Sequence, residues 1–169
     1  MSQIRLRPCE QDCNRTQESR LVKGISEILE QLIELAEGLD IKDSLFHSQK
    51  VPSITLENYM SRIVRYTKCS EECLVIAFIY LSRIQELNQE LQLNRQSAHR
   101  LLFIAIVLAI KYQDDDIFKN DYYAKVGGIT MWELNDMEEV FLELLDYKLF
   151  VQQDLYYLNL KKIKQSSRK

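Results

Sequence analysis

Two uninterrupted apolar runs constrain this chain more than any other feature: CLVIAFIYL over residues 73–81 and LLFIAIVLAI over residues 101–110. A segment that is apolar all round must be enclosed by other elements. Taken alone, either run suits a buried strand as well as a buried helix. Each, however, sits inside a longer helical pattern. Ile84 and Leu87 continue the first, and His99 and Tyr112 flank the second, while neither run is bounded by tight-turn residues. Both therefore read as helices at the centre of an all-α domain, and the rest of the chain has to wrap them.

The remaining segments supply the wrapping. Residues 1–20 are polar, carry Pro8 and are expected to form a flexible tail. Residues 21–45 read as an amino-terminal helix and linker: Leu21, Ile25, Ile28, Leu29, Leu32, Ile33 and Leu35 recur at three-to-four spacing, and Gly38 is a stop. Ser53 is the predicted cap of a helix with Leu56, Tyr59, Met60, Ile63, Val64 and Tyr66 on one side, Arg62 and Arg65 on the other, and an end near Lys68. Ser70 with Glu71 and Glu72 marks the start of the first apolar helix, since a hydroxyl can cap and acids favour the positive end of the helix dipole.

Only four glycines occur, and two are adjacent, Gly127 and Gly128. Asn120 is the predicted cap of a short helix over 121–126 that ends at Gly127 in a left-handed conformation. Thr130 and Glu133 have the spacing of a capping box. The Gly-Gly pair is thus a structural turn between two helices, the second running to about residue 147 with Leu134, Met137, Val140, Phe141, Leu144 and Leu145 as its buried stripe. Residues 152–169 read as a short carboxy-terminal helix or a frayed tail.

Composition removes several function classes. With 22 Lys+Arg against 25 Asp+Glu and no long basic block, nucleic acid is not an expected partner. The polar amino terminus lacks the apolar core of a signal peptide, and no apolar run approaches the roughly 20 residues that span a bilayer. The expectation is therefore an intracellular protein, cytoplasmic or nuclear, with no membrane partner. Cysteines fall as Cys9-x3-Cys13 and Cys69-x3-Cys73, not at common zinc spacing, so free thiols and no metal are expected, with Cys73 buried. Asp114, Asp115 and Asp116 read as solvated loop acids, and His99 as a packing or capping residue. No nucleophile set, phosphate loop or cofactor motif stands out, so neither an enzyme nor a cofactor is expected.

The stretch from about residue 46 to 151 resembles the cyclin box of the P/U-type cyclins. The matching residues are Pro52-Ser-Ile with Tyr59, Arg62 and Ile63; Tyr80-Leu with Arg83 and Ile84; Asn94 with His99-Arg-Leu-Leu102; Ala109 with Lys111-Tyr112; Asn120 with Tyr122-Tyr-Ala-Lys-Val-Gly-Gly-Ile129; and Glu133-Leu-Asn135 with Glu138 and Phe141-Leu142. The resemblance implies a five-helix box with an additional amino-terminal helix and a short carboxy-terminal one. It also implies an activating subunit that forms a heterodimer with a cyclin-dependent protein kinase and does no chemistry itself.

By that resemblance Lys111 and Glu138 bind the backbone just before the kinase's C helix. A carboxylate can accept from the unpaired N–H groups of a helix start, and an ammonium can serve the carbonyls of the preceding loop. Leu108, Tyr112, Leu142, Tyr147 and Leu149 are the apolar side chains implied around that pair. On residue pattern alone, a solvated helix end is the favoured reading of Lys111, and Glu138 and Glu139 read as ordinary helix charges; the resemblance is what reverses this. The competing reading is a cyclin-fold scaffold or adaptor, in transcription or another complex, without kinase activation.

Overall fold

The computed structural model describes residues 10–38, 44–88 and 91–167, with side chains from Glu18 onward. Among these residues there are seven helices and no strand: α1 (Glu10–Leu35), α2 (Leu56–Thr67), α3 (Glu71–Leu87), α4 (Ala98–Gln113), α5 (Asn120–Gly127), α6 (Met131–Leu144) and α7 (Gln153–Ser166).

α4 is the axis around which the others gather. Leu101 through Ile110 are all buried, because α2, α3, α5 and α6 all pack against this helix. α3 lies along α4 and is also covered by α1 and α7, which buries Cys73 through Leu81. The two apolar runs are thus the two central helices, as enclosure demands.

α1 places Leu21, Val22, Ile25, Leu29 and Ile33 in the core. It begins at Glu10, well before the expected start at Leu21. Pro8 and the acids Glu10 and Asp12 are start signals, and neither glycine nor proline interrupts the chain from there to Leu21; the polar composition that suggested a tail belongs to a helix. Residues 1–9, and the side chain of Cys13, lie outside the described residues. α7 is a full helix rather than a frayed end, packed against α1 and α3 with Ile163 fully buried. It crosses α1 so closely that a Cβ at Gly24 would stand 2.4 Å from the Ile163 carbonyl oxygen.

Several helix ends differ from expectation by one or two residues. The cap of α2 is Thr55, whose Oγ1 accepts from Asn58 N at 3.2 Å, rather than Ser53. Ser70 is the cap residue of α3, yet its hydroxyl caps no backbone N–H of that helix; it donates to Asp114 Oδ1 at 2.6 Å and lies 3.2 Å from Cys73 Sγ, while Asp114 Oδ2 accepts from Ser70 N at 3.1 Å. Asp114 is therefore a structural tie between the end of α4 and the start of α3, whereas Asp115 and Asp116 are exposed as expected. Lys119, not Asn120, occupies the cap position of α5.

At the Gly-Gly pair the two glycines divide the work. Gly128 carries the positive φ of 73°. Gly127 is the last helical residue and is required by packing, since a Cβ there would meet Phe103 Cζ at 2.5 Å. Its carbonyl accepts from the buried Tyr59 hydroxyl at 2.8 Å, tying α5 to α2. The capping box of α6 is formed, with Thr130 Oγ1 accepting from Glu133 N at 3.2 Å and Glu133 Oε2 accepting from Thr130 N at 2.9 Å. That helix ends at Leu144 rather than near 147, because Asp146 and Tyr147 both take left-handed φ values of 52° and 54°.

Candidate functional site

Three helices converge on the carboxyl group of Glu138. Lys111, in the last turn of α4, donates to Glu138 Oε1 at 2.5 Å and to Oε2 at 2.8 Å. Asn120, the first residue of α5, donates through Nδ2 to Glu138 Oε2 at 3.0 Å and to Asn135 Oδ1 at 2.7 Å. The side chains of Lys111 and Glu138 are 24% and 18% exposed. Lys111 is thus no freely solvated helix end, and the adjacent acids separate: Glu138 faces the cluster and Glu139 faces solvent.

This arrangement is poised chemically. An ammonium and a carboxylate engaged with each other at the surface each keep capacity for a further hydrogen bond.

The surrounding residues sort into two layers. Leu108 is 3% exposed and lies in the chain's own core, so it backs the surface rather than forming it. Leu142 and Leu149 are half-buried, while Tyr112 and Tyr147 are exposed. Phe150, 69% exposed, joins this group; it was not singled out from the sequence, where it falls between the helix expected to end near 147 and the carboxy-terminal segment. The signal was an aromatic residue next to Leu149.

The segment that presents Tyr147, Leu149 and Phe150 is irregular yet anchored. Tyr147 N donates to Leu142 O at 2.9 Å and Asp146 N to Glu143 O at 2.8 Å, closing the end of α6. α3 then grips the segment from below. Tyr80 Oη donates to Leu149 O at 2.9 Å, Arg83 Nη1 to Lys148 O at 2.8 Å, and Arg83 Nη2 to Phe150 O at 3.0 Å. Three consecutive carbonyls are held by two side chains spaced one turn apart. Burial pushes the Tyr80 phenol well above its ordinary range, so it stays a donor. Tyr80 and Arg83 were among the matched residues, with no role legible in the sequence. A groove of about 500 Å³ runs beside this segment toward α7, between Tyr112, Phe150, Tyr156 and Tyr157.

No cluster of three or more His, Cys, Asp or Glu suited to a metal occurs among the described residues. Cys69 and Cys73 are free thiols, and burial raises both above the usual thiol range, Cys69 to about 11. No helix among the described residues is long and apolar enough to cross a membrane.

The cyclin family model matches residues 9–149. Cyclin-U4-1 of Arabidopsis thaliana is 37% identical over 142 residues, covering 79% of this chain and 69% of that protein. Cyclin-P3-1 of Oryza sativa subsp. japonica is 34% identical over 149 residues, 85% of this chain and 63% of the relative, and Cyclin-U2-1 of Arabidopsis thaliana is 37% identical over 115 residues, 68% and 52% respectively. The matched region thus takes in 52% to 69% of those relatives' own lengths. With an all-helical domain built on two enclosed helices, and with similarity to both U-type and P-type members, the chain belongs to the cyclin family.

Proposed function

We propose that this chain is the activating regulatory subunit of a cyclin-dependent protein kinase, acting inside the cell as a heterodimer with it. The observation that carries the reading is the Lys111–Glu138 pair, braced by Asn120 and flanked by Tyr112, Leu142, Tyr147 and Leu149. Glu138 accepts from the N–H groups that open the kinase's C helix, and Lys111 donates to the carbonyls of the loop before it. The aromatic and leucine side chains bury against that helix and form the water-excluded centre of the interface. Leu108 supports them from the core.

Activation is then a population shift. The kinase needs its C helix rotated inward so that the catalytic Lys–Glu ion pair forms. A subunit that binds only that conformation draws the equilibrium toward it. Moving a two-state equilibrium from 1:99 to 99:1 takes about 5.5 kcal/mol of differential binding. Hydrogen bonds to charged groups contribute about 1.5–3 kcal/mol each, so two such contacts and a few buried side chains suffice. The chain supplies no catalytic group of its own.

The internal pairing suggests the variant. Lys111→Glu combined with Glu138→Lys preserves the attraction within the chain while reversing both charges toward a partner. We expect the double variant to melt near the wild-type temperature and to bind cyclin-dependent kinases of its source about 10–100-fold more weakly, with activation lost in proportion. Unchanged affinity in a titration would remove the pair from the interface. Recovery of a kinase that is bound but not activated would favour the adaptor reading.

A further inference from the structure

A second surface, separate from the Glu138 cluster, lies between α2 and α5. It is a solvent-open groove of about 620 Å³ whose walls include Ser61, Arg62, Arg65, Tyr66, Tyr122 and Lys125. No carboxylate lines it. Among the described residues the ion pairs engage Lys23, Arg95, Arg100, Lys111 and Lys148, and none engages Arg62, Arg65 or Lys125. In a chain of net charge −3, three cations with no carboxylate partner among the described residues have gathered along one groove.

The walls are held in place. Tyr122 Oη donates to Tyr66 O at 2.8 Å, and its ring stacks on Phe118 with centroids 4.3 Å apart. Arg62 spends one Nη2 contact, at 3.3 Å, on the Lys125 carbonyl, which joins the two helices. The Arg65 guanidinium lies 5.9 Å from the centre of the Tyr66 ring, and Tyr66 is 51% exposed. Arg62 and Arg65 are three residues apart on one helix and therefore share a face.

We propose that this groove docks an acidic peptide segment of a partner protein. Two guanidinium forks on adjacent turns match successive carboxylates, for which planar bidentate donors are well suited. Lys125 supplies a third positive charge from the opposite wall. Tyr66 and Tyr122 offer flat apolar surface to intervening side chains, and Asn58 and Ser61 offer hydrogen bonds to an extended backbone. The groove shares no lining residue with the Glu138 site, so docking here is compatible with occupation of that site.

The test is a fluorescence anisotropy titration of the full chain alone with a fluorescein-labelled peptide of alternating Glu and Ser. We expect a Kd of about 10–100 μM that weakens with added salt. Replacing the glutamates with glutamine should abolish binding, and Arg62→Gln/Arg65→Gln should weaken it at least about tenfold. If that variant melts low, Lys125→Gln decides, since only the backbone carbonyl of Lys125 is used internally. Absence of binding, equal binding of the glutamine peptide, or full affinity in the variants overturns the proposal. Displacement of the peptide by a single-stranded oligouridylate or by phosphatidylserine vesicles that bind more tightly overturns it in favour of nucleic acid or membrane.

Discussion

At the scale of single residues, two positions show how local rules and packing divide control. Gly127 has no left-handed backbone to justify a glycine, and alanine would favour the helix by up to about 1 kcal/mol. The Phe103 ring, 2.5 Å from where a Cβ would sit, opposes this, and overpacking typically costs about 1–3 kcal/mol. Packing wins, so Gly127→Ala should lower the Tm by about 2–8 °C in a thermal melt; an unchanged or higher Tm would show that the ring moves aside freely. The Glu138 cluster gives the complementary case. Residue pattern could not tell Glu138 from Glu139, and resemblance alone selected the first. What sets Glu138 apart physically is its place on α6 opposite the end of α4 and the start of α5, a relation between distant segments.

At the scale of elements, the turn after α6 is the part of the site least legible in the sequence. Nothing local predicts two consecutive non-glycine residues, Asp146 and Tyr147, with left-handed backbones. They are stabilised from α3, through Tyr80 and the Arg83 fork on the carbonyls of Lys148, Leu149 and Phe150. Arg83→Gln should therefore cost about 1–3 kcal/mol for two lost hydrogen bonds, lower the Tm by several degrees, and loosen this turn. Hydrogen–deuterium exchange should show faster exchange over residues 147–151, with kinase affinity reduced several-fold. Unaltered exchange would mean that the turn holds itself.

At the scale of the whole molecule, His99 links the packing of α4 to pH. Its Nε2 donates to Ile54 O at 2.8 Å, which leaves the buried Nδ1 as an acceptor with no partner among the described residues. Burial lowers its pKa below the ordinary 6.5, against the opposing pull of the Ile54 carbonyl. The folded state therefore binds this proton less readily than the unfolded chain, so the contribution of His99 to stability is complete above about pH 6.5 and is lost as pH falls below it. Glu133, held below the usual carboxylate range by Thr130 N–H and Arg100, loses its contribution only at lower pH. The Tm should thus fall between about pH 7 and 5.5 in the wild type and less steeply in His99→Gln. Parallel curves would assign the fall to other groups.

The sequence by itself determined the fold class and most helices. The runs over 73–81 and 101–110 can only be enclosed, and the periodic stripes and the Thr130–Glu133 capping box are local patterns that any fold must respect. It could not assign Asp114 to Ser70 or settle which glycine turns the chain. Those outcomes depend on which neighbour lies across the gap, and helix ends cost so little to move that tertiary partners decide them. The site and the basic groove belong to the same class. Lys111, Asn120 and Glu138, like Arg62, Arg65 and Lys125, are far apart along the chain, and only the packing of α2, α5 and α6 around α4 brings each set onto one surface.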